Sequence, residues 1–405
     1  MMTQINSESG KKERVFSPSR SVWRTQMAKG VYTPHRVSRI TCVINHLLTK
    51  KVADLLLKLG IKATIENGRA VREFVKKRPF SLPGELISLR SSPVDIYRFT
   101  VPRENSNDVL DAIVYTAGLD VPGRGSVFSQ DLMEFSHETP FVNLDELSRV
   151  PKANGEVNYL KKLSYVNCIL SLPGSGDNLA RIALDLGICV PLITLGTGND
   201  IRDQLGLIRI TISAEKEIVR LIMPEDDSQS IIRLLIEQAR LDRPGSGFIY
   251  QTPVSIGLID TRLKMGKQSH AASLEQIIAA IDSLKEGTKW RRRLDAELHE
   301  KISSRSMMPH DNCEVSIISD EDRVDRLRAA CLRVGAMGAI TSRVLPLVES
   351  DAEKFAKIMI RSAISVPADL IDCVVDELLE NSTIKDEPND LIHVLDSPAA
   401  YVHNL

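Results

Sequence analysis

The chain has 405 residues, of which 43% are hydrophobic and 26% charged, and its formal net charge is −1. This composition is typical of a soluble globular protein with several domains, and the balanced charge argues against nucleic-acid binding as its main task. No apolar run is long enough for a membrane span, and the polar N-terminus lacks a signal-peptide core, so we predict a cytoplasmic protein.

The same order of elements begins twice in the first two thirds of the chain. The apolar, β-branched runs ITCVIN (40–45) and VNCILS (166–171) predict strands. An amphipathic helix follows each run and ends at Gly60 or Gly187, where a left-handed C-cap is expected. A short second strand and a polar loop are predicted to come next.

Both copies continue with a third strand, a second helix and a glycine loop. The third strands end at Pro102 and Pro224, because proline cannot donate to a strand ladder. The glycine loops lie in AGLDVPGRGSVFSQDL (117–132) and ARLDRPGSGFIYQTPV (239–254). A fainter third copy runs from CEVSIIS (313–319), has a helix that ends at Gly335 and lacks the glycine loop. Matching blocks in one order indicate internal duplication.

Each copy therefore predicts a βαββαβ unit, so we predict an α+β protein made of three ferredoxin-like repeats. Helices would cover one face of each sheet, and the other face would need cover from a neighbouring sheet. The predicted divisions are an N-terminal extension (1–38), repeat 1 (39–132), a linker (133–163), repeat 2 (164–256), a helical linker (257–311) and a degenerate repeat 3 (312–405).

Two parts of repeat 2, PLITLGTGNDIRDQLGL (191–207) and residues 216–254, together with VYTAGLDVPGRGSVF (114–128) in repeat 1, resemble the nitrogen-regulatory PII and PII-like signalling family. The resemblance implies three PII-like repeats packed as an intrachain pseudo-trimer. It also implies a regulatory or sensor protein that binds a small metabolite or an adenine nucleotide (ATP, ADP or AMP) in clefts between repeats. Such a protein would signal through its loops to a partner protein, either a transporter or an enzyme.

The resemblance places ligand phosphates at the two glycine loops, Gly123, Arg124 and Gly125 in repeat 1 and Gly245, Ser246 and Gly247 in repeat 2. Glycines let successive backbone N–H groups converge on an anion, and an arginine adds a charged donor. A tight turn between a helix and a strand would use the same glycines, so both interpretations stay open.

A second group of candidate ligand contacts lies at the base of the polar loop of repeat 2. These residues are Thr194, Gly196, Thr197 and Gly198. The corresponding stretch of repeat 1 offers Asn67, Gly68 and Arg69. The alternative is that they are polar loop residues without a ligand.

The sequence contains no recognisable catalytic or metal-binding motif, and its eight histidines are scattered. Its six cysteines form no C-x-x-C pair and are expected to be buried free thiols. We therefore predict no enzyme activity, no metal and no nucleic-acid partner. The alternative to a sensor is a structural protein that keeps the fold but binds no ligand.

Overall fold

The computed structural model describes residues 34–77, 85–151, 157–199, 215–243, 245–260, 264–265, 310–348, 358–382, 387 and 390–402. Most of the predicted N-terminal extension and of the helical linker lies outside these residues. We refer to residues 34–136 as the first segment, 157–260 as the second segment and 310–402 as the third segment.

Each segment contains four long strands and two long helices. The first segment has β1 (His35–Asn45), α1 (Thr49–Lys58), β2 (Ala63–Lys77), β3 (Glu85–Pro102), α2 (Ser106–Ala117) and β4 (Gly125–Ser136), and α3 (Leu144–Arg149) follows it. The second has β5 (Leu160–Leu170), α4 (Ser175–Asp185), β6 (Leu192–Asn199), β7 (Glu215–Pro224), α5 (Glu225–Gln238) and β8 (Gly247–Leu258), and the short β9 (Lys264–Met265) comes next. The third has β10 (His310–Ser319), α6 (Glu321–Val334), β11 (Gly338–Pro346), β12 (Met359–Pro367), α7 (Ile371–Asn381) and β13 (Leu391–Val402).

Several local predictions are confirmed. Gly60, Gly187 and Gly335 follow α1, α4 and α6 with φ angles of 67°, 68° and 111°, which L-residues with a Cβ rarely adopt. Pro102 and Pro224 are the last residues of β3 and β7. All six cysteines are free, and five of them are buried. Local sequence therefore determines where these elements end.

Two predicted loops are strands instead. The polar stretch that begins at Asn67 belongs to β2, which pairs with β3 from Ala63↔Phe99 to Lys77↔Glu85. The predicted loop base at residues 194–198 belongs to β6, which pairs with β7. The predicted linker 133–163 contains the end of β4, helix α3 and the start of β5. Cross-strand pairing overrides the weak strand propensity of these polar residues.

The strands form one continuous 13-stranded sheet. Within each segment the fourth strand pairs with the first, the first with the third, and the third with the second. The second strands β2, β6 and β11 then pair with one another, and so do the fourth strands β4, β8 and β13. All these pairings are antiparallel, and they close the sheet on itself.

The predicted fold class, three ferredoxin-like PII-like repeats packed as an intrachain pseudo-trimer, is therefore wrong. That prediction assumed three separate sheets that shield one another by packing. In the structure, hydrogen bonds between edge strands join all segments into a single closed sheet, in which the twelve long strands pair antiparallel. The physical reason is that an unpaired edge strand leaves backbone N–H and C=O groups without partners, and pairing between segments removes those edges.

The two faces of the closed sheet have different compositions. Outward-facing residues such as Ile40, Cys42 and Tyr97 pack with the helices of their own segment in apolar cores. Neighbouring positions in a strand point to opposite faces, so Arg39 and Arg98 point into the interior of the closed sheet. Among the helices that the structure describes, none combines the length and apolar character that crossing a bilayer requires.

Candidate functional site

The glycine loops have a backbone reason for their glycines. A Cβ atom on Gly125 would lie 2.0 Å from the Val43 carbonyl oxygen, and one on Gly247 would lie 1.8 Å from that of Ile169. These contacts arise where β4 starts to pair with β1 and β8 starts to pair with β5. Gly123 and Gly245 have φ angles of 95° and 74°. The turn interpretation thus accounts for the glycines whether or not a ligand binds.

The first glycine loop does bind an anion, but the anion belongs to the chain itself. The Gly123 N–H donates to Asp260 Oδ1 at 3.1 Å, and Arg72 Nη2 donates to Asp260 Oδ2 at 2.5 Å. Asp260 is 4% exposed. The adjoining cavity has a volume of about 20 Å³, which suits about one water molecule and no nucleotide phosphate.

The other residues of the two glycine loops have structural partners. Arg124 Nη1 lies 3.4 Å from the Ala117 carbonyl oxygen, so it contacts the C-terminal end of α2. The Ser246 carbonyl accepts from the Ser171 N–H at 3.0 Å, and the Ser246 N–H donates to the Arg243 carbonyl at 3.2 Å. These contacts hold the loops to the helix and strand beside them.

The predicted loop-base residues lie where β6 meets β11. The hydroxyls of Thr197 and Thr341 are 2.5 Å apart, and a Cβ atom on Gly196 would lie 2.7 Å from the Thr341 carbonyl oxygen. A Cβ on Gly198 would lie 2.7 Å from Lys216 Cε. Thr194 is 2% exposed and accepts from Arg220 Nη1 at 2.7 Å. Through this bond Thr194 contacts the charged interior that is described next.

Six ionisable residues from six strands meet inside the closed sheet, at positions where no sequence motif predicts a site. We call them the interior charge cluster: Arg39, Glu66, Arg98, Arg220, Glu314 and Arg361. The side chain of each is at most 8% exposed. A charged residue at an inward position of an otherwise apolar strand, as in DIYRFTV, is the signal that could have pointed to them.

Two carboxylates hold the cluster together. Glu66 accepts from Arg98 Nη1 at 2.5 Å and from Arg220 Nη2 at 2.9 Å. Glu314 accepts from Arg39 Nη1 at 3.0 Å and from Arg361 Nη2 at 3.2 Å. Two of these four ion pairs, Arg220 with Glu66 and Arg39 with Glu314, join different segments, so the cluster ties the segments to one another.

The cluster has more positive than negative charge. Burial raises the pKa of Glu314, but Arg39 and Arg361 outweigh this effect and lower the pKa to about 2. Burial likewise opposes ionisation of Glu66, but Arg220 and Arg98 hold its pKa well below the usual range. Burial and the like charge of Arg98 lower the pKa of Arg361 to about 10, although Glu314 opposes this. At neutral pH four guanidiniums therefore share two carboxylates.

Some donors of the cluster are unsatisfied. In the part of the chain that the structure describes, Arg39 Nε and Arg98 Nη2 are buried without a hydrogen-bond partner. The Tyr165 hydroxyl lies beside Arg98. Buried charged donors without acceptors are costly, which makes this region favourable for an added acceptor.

A cavity of about 520 Å³ lies between the first and third segments, next to this cluster. Arg39, Arg98 and Arg361 line its inner end. Its apolar lining includes Ile318, Leu347 and Met359, all buried. Lys62 and Glu138 line the exposed mouth and form an ion pair of 2.6 Å. The volume is in the range of sites for small ligands.

His393 and Glu134 also line this cavity. His393 Nε2 lies 3.0 Å from Glu134 Oε2, and the two side chains are 5% and 2% exposed. Burial raises the pKa of Glu134, but its contacts with His393, Thr100 and Ser136 outweigh burial and lower the pKa. His393 Nδ1 is buried and has no hydrogen-bond partner among the described residues.

We expect the free energy of unfolding to decrease as the pH falls from 4.5 to about 2. Over this interval Glu314 takes up a proton in the unfolded chain first, because its folded pKa is about 2 against an ordinary value of 4.5. One such carboxylate contributes at most about 1.4 kcal/mol per pH unit. Urea unfolding across this interval measures the slope. In Glu314→Gln the slope should be smaller by the contribution of one proton. An unchanged slope would contradict the lowered pKa of Glu314.

Comparison of the sequence with protein-family models and with curated proteins found no match. The resemblance to the PII family therefore has no independent support. The single closed sheet also contradicts the ferredoxin-like tandem and pseudo-trimer description, and nothing in the site favours nitrogen regulation or nucleotide binding at the glycine loops. What the chain presents is a cavity lined by buried arginines, which no match to a known family explains.

Proposed function

We propose that this protein binds a small organic anion in the cavity between its first and third segments. One observation carries the proposal: four buried guanidiniums share two carboxylates, and three of the four line a cavity of about 520 Å³. A carboxylate or phosphate group would supply the missing negative charge.

The chemistry of arginine favours this kind of ligand. Its planar guanidinium donates in a fork that matches the two oxygens of a carboxylate or phosphate. Charge-assisted hydrogen bonds of this kind are stronger in a buried environment than in water. The donors Arg39 Nε and Arg98 Nη2 are already buried in the folded protein. Ligand binding therefore does not have to remove water from these two atoms.

The lining also restricts the shape of the ligand. The anionic group would meet Arg39, Arg98 and Arg361 at the inner end, and a compact apolar body would lie against Ile318, Leu347 and Met359. We therefore favour an organic acid or a monophosphorylated small molecule.

A role as a sensor follows from the position of the cavity. Its lining comes from both segments, so a bound anion would add interactions across the β4–β13 join. Such a change could be transmitted to a partner protein in the cytoplasm, the location that the sequence predicts. The competing proposal is a structural protein that binds no ligand. Two observations favour it: the sheet is closed, and Asp260 already occupies the anion position of the first glycine loop.

Arg98→Met is expected to weaken anion binding by about tenfold or more, because it removes a charge-assisted donor from the cavity. The matched control is Arg220→Met. Both arginines pair with Glu66 and both are buried, but Arg98 lines the large cavity and Arg220 does not. The fluorescence of 1-anilinonaphthalene-8-sulfonate, displaced by benzoate, phenyl phosphate or inorganic phosphate, measures the affinity.

Two outcomes would contradict the proposal. If the unmodified protein binds none of these anions, the anion-binding proposal is wrong and the structural role is favoured. If Arg98→Met binds as tightly as the unmodified protein, the probe lies elsewhere. Because Glu66 keeps Arg220 as a partner, Arg98→Met should still fold, and circular dichroism checks this.

A further inference from the structure

We infer that His393 is a ligand-binding donor of this cavity and that its protonation is coupled to anion binding. This inference rests on the proposed function. It follows from the position of His393 in the sheet, from the proton arrangement that Glu134 imposes, and from the charges that face the imidazole.

His393 lies at the join between the first and third segments. It stands on β13 directly opposite Glu134 of β4 in the strand register, and opposite Ser316 of β10 on its other side. Glu134 and His393 both line the cavity. The imidazole therefore lies between the hydrogen-bonded join and the space where the anion would bind.

Glu134 determines which nitrogen of His393 carries a proton. An ionised carboxylate only accepts hydrogen bonds, so Nε2, at 3.0 Å, must be the donor. In the neutral imidazole Nδ1 is then an acceptor, and in the protonated imidazole it is a donor. Nδ1 is buried without a partner among the described residues, so neither form is satisfied. An anionic oxygen in the cavity would satisfy the protonated form.

The charges around the cavity couple the two events. The groups that face the space in front of His393 are Arg39 of β1, Arg98 of β3, Glu134 of β4 and Arg361 of β12, with Lys62 and Glu138 at the mouth. Glu314 of β10 stands behind Arg39 and Arg361. With the cavity empty, three guanidiniums oppose a further positive charge on His393, whereas the Glu134 carboxylate favours it.

A bound anion reverses this balance. Its charge offsets the guanidiniums, and its oxygen gives the protonated Nδ1 an acceptor, so the anion favours protonation of His393. By linkage, protonation of His393 must then favour the anion to the same extent. Imidazole changes its charge within the physiological pH range, so the coupling would operate under cellular conditions.

The affinity for 1-anilinonaphthalene-8-sulfonate is therefore expected to rise as the pH falls from about 8 to about 5.5. The limit for one coupled proton is about tenfold per pH unit. The sulfonate stays ionised throughout, so the change would come from the protein. Calorimetry in buffers of different ionisation enthalpy should also show proton uptake on binding.

His393→Gln should abolish this pH dependence, because glutamine can still donate to Glu134 but takes up no proton in this pH range. The matched control is His46→Gln. His46 is exposed and pairs with Asp95 away from the cavity, so its replacement should preserve the pH dependence. A pH dependence that persists in His393→Gln would overturn the inference.

A second measurement avoids any variant that fails to fold. The imidazole resonances of His393 in the unmodified protein should titrate at higher pH when the sulfonate is bound than when it is absent, and an unchanged titration would overturn the inference. Tight binding that does not vary with pH would overturn the role of His393 and leave the proposed anion site standing. Absence of binding at every pH would overturn both.

Discussion

Glu66→Gln is expected to lower the free energy of unfolding by about 3–5 kcal/mol, the usual cost of leaving a buried charge without its partner. Glu66 is the only ion-pair partner of both Arg98 and Arg220 in the described part of the chain. The replacement leaves two buried guanidiniums without a carboxylate and raises the positive surplus of the interior. Chemical unfolding monitored by circular dichroism measures the change.

The control for Glu66→Gln is Glu138→Gln, which removes the carboxylate of an exposed ion pair with Lys62. Its effect should stay within about 0.5 kcal/mol. The double variant Glu66→Gln with Arg220→Met should recover part of the lost stability, because it removes one of the two unpaired charges. Equal effects of Glu66→Gln and Glu138→Gln would show that the interior ion pairs do not stabilise the closed sheet.

Gly125→Ala and Gly247→Ala are each expected to cost about 4 kcal/mol or more, a size that indicates disruption of the backbone itself. The added methyl group would lie 2.0 Å from the Val43 carbonyl oxygen in the first case and 1.8 Å from the Ile169 carbonyl oxygen in the second. Both contacts are with backbone atoms of a paired strand, which cannot move without breaking the pairing of β4 with β1 or of β8 with β5.

Gly174→Ala is the matched control for these two variants. Gly174 has a φ angle of 78°, yet a Cβ atom there would meet nothing within 4 Å. Its replacement should cost only about 1–2 kcal/mol, the penalty for a left-handed conformation alone. If all three variants lose the same stability, conformational preference explains the glycines and close approach does not. Loss of ligand binding in Gly247 variants would reflect this structural damage, so it cannot test a phosphate site.

The candidate site shows why function was harder to predict than local structure. The glycine loops were conspicuous in the sequence, but their glycines permit close strand approach, and Asp260 fills the anion position of the first loop. The arginines of the interior cluster were inconspicuous because they lie on four different strands that are separated along the chain. Their importance comes from meeting one another, and Arg39 and Glu314 are 275 residues apart in the chain.

The sequence by itself determined the order of the elements along the chain and where several helices and strands end. Glycines at left-handed helix ends and prolines at strand ends act through the conformation of a single residue, so a short stretch suffices to specify them. Only the tertiary structure decided that the edge strands of the three segments pair into one closed sheet and that its interior holds a surplus of positive charge. Those features depend on hydrogen bonds and ion pairs between distant residues, and such contacts leave no local pattern in the sequence.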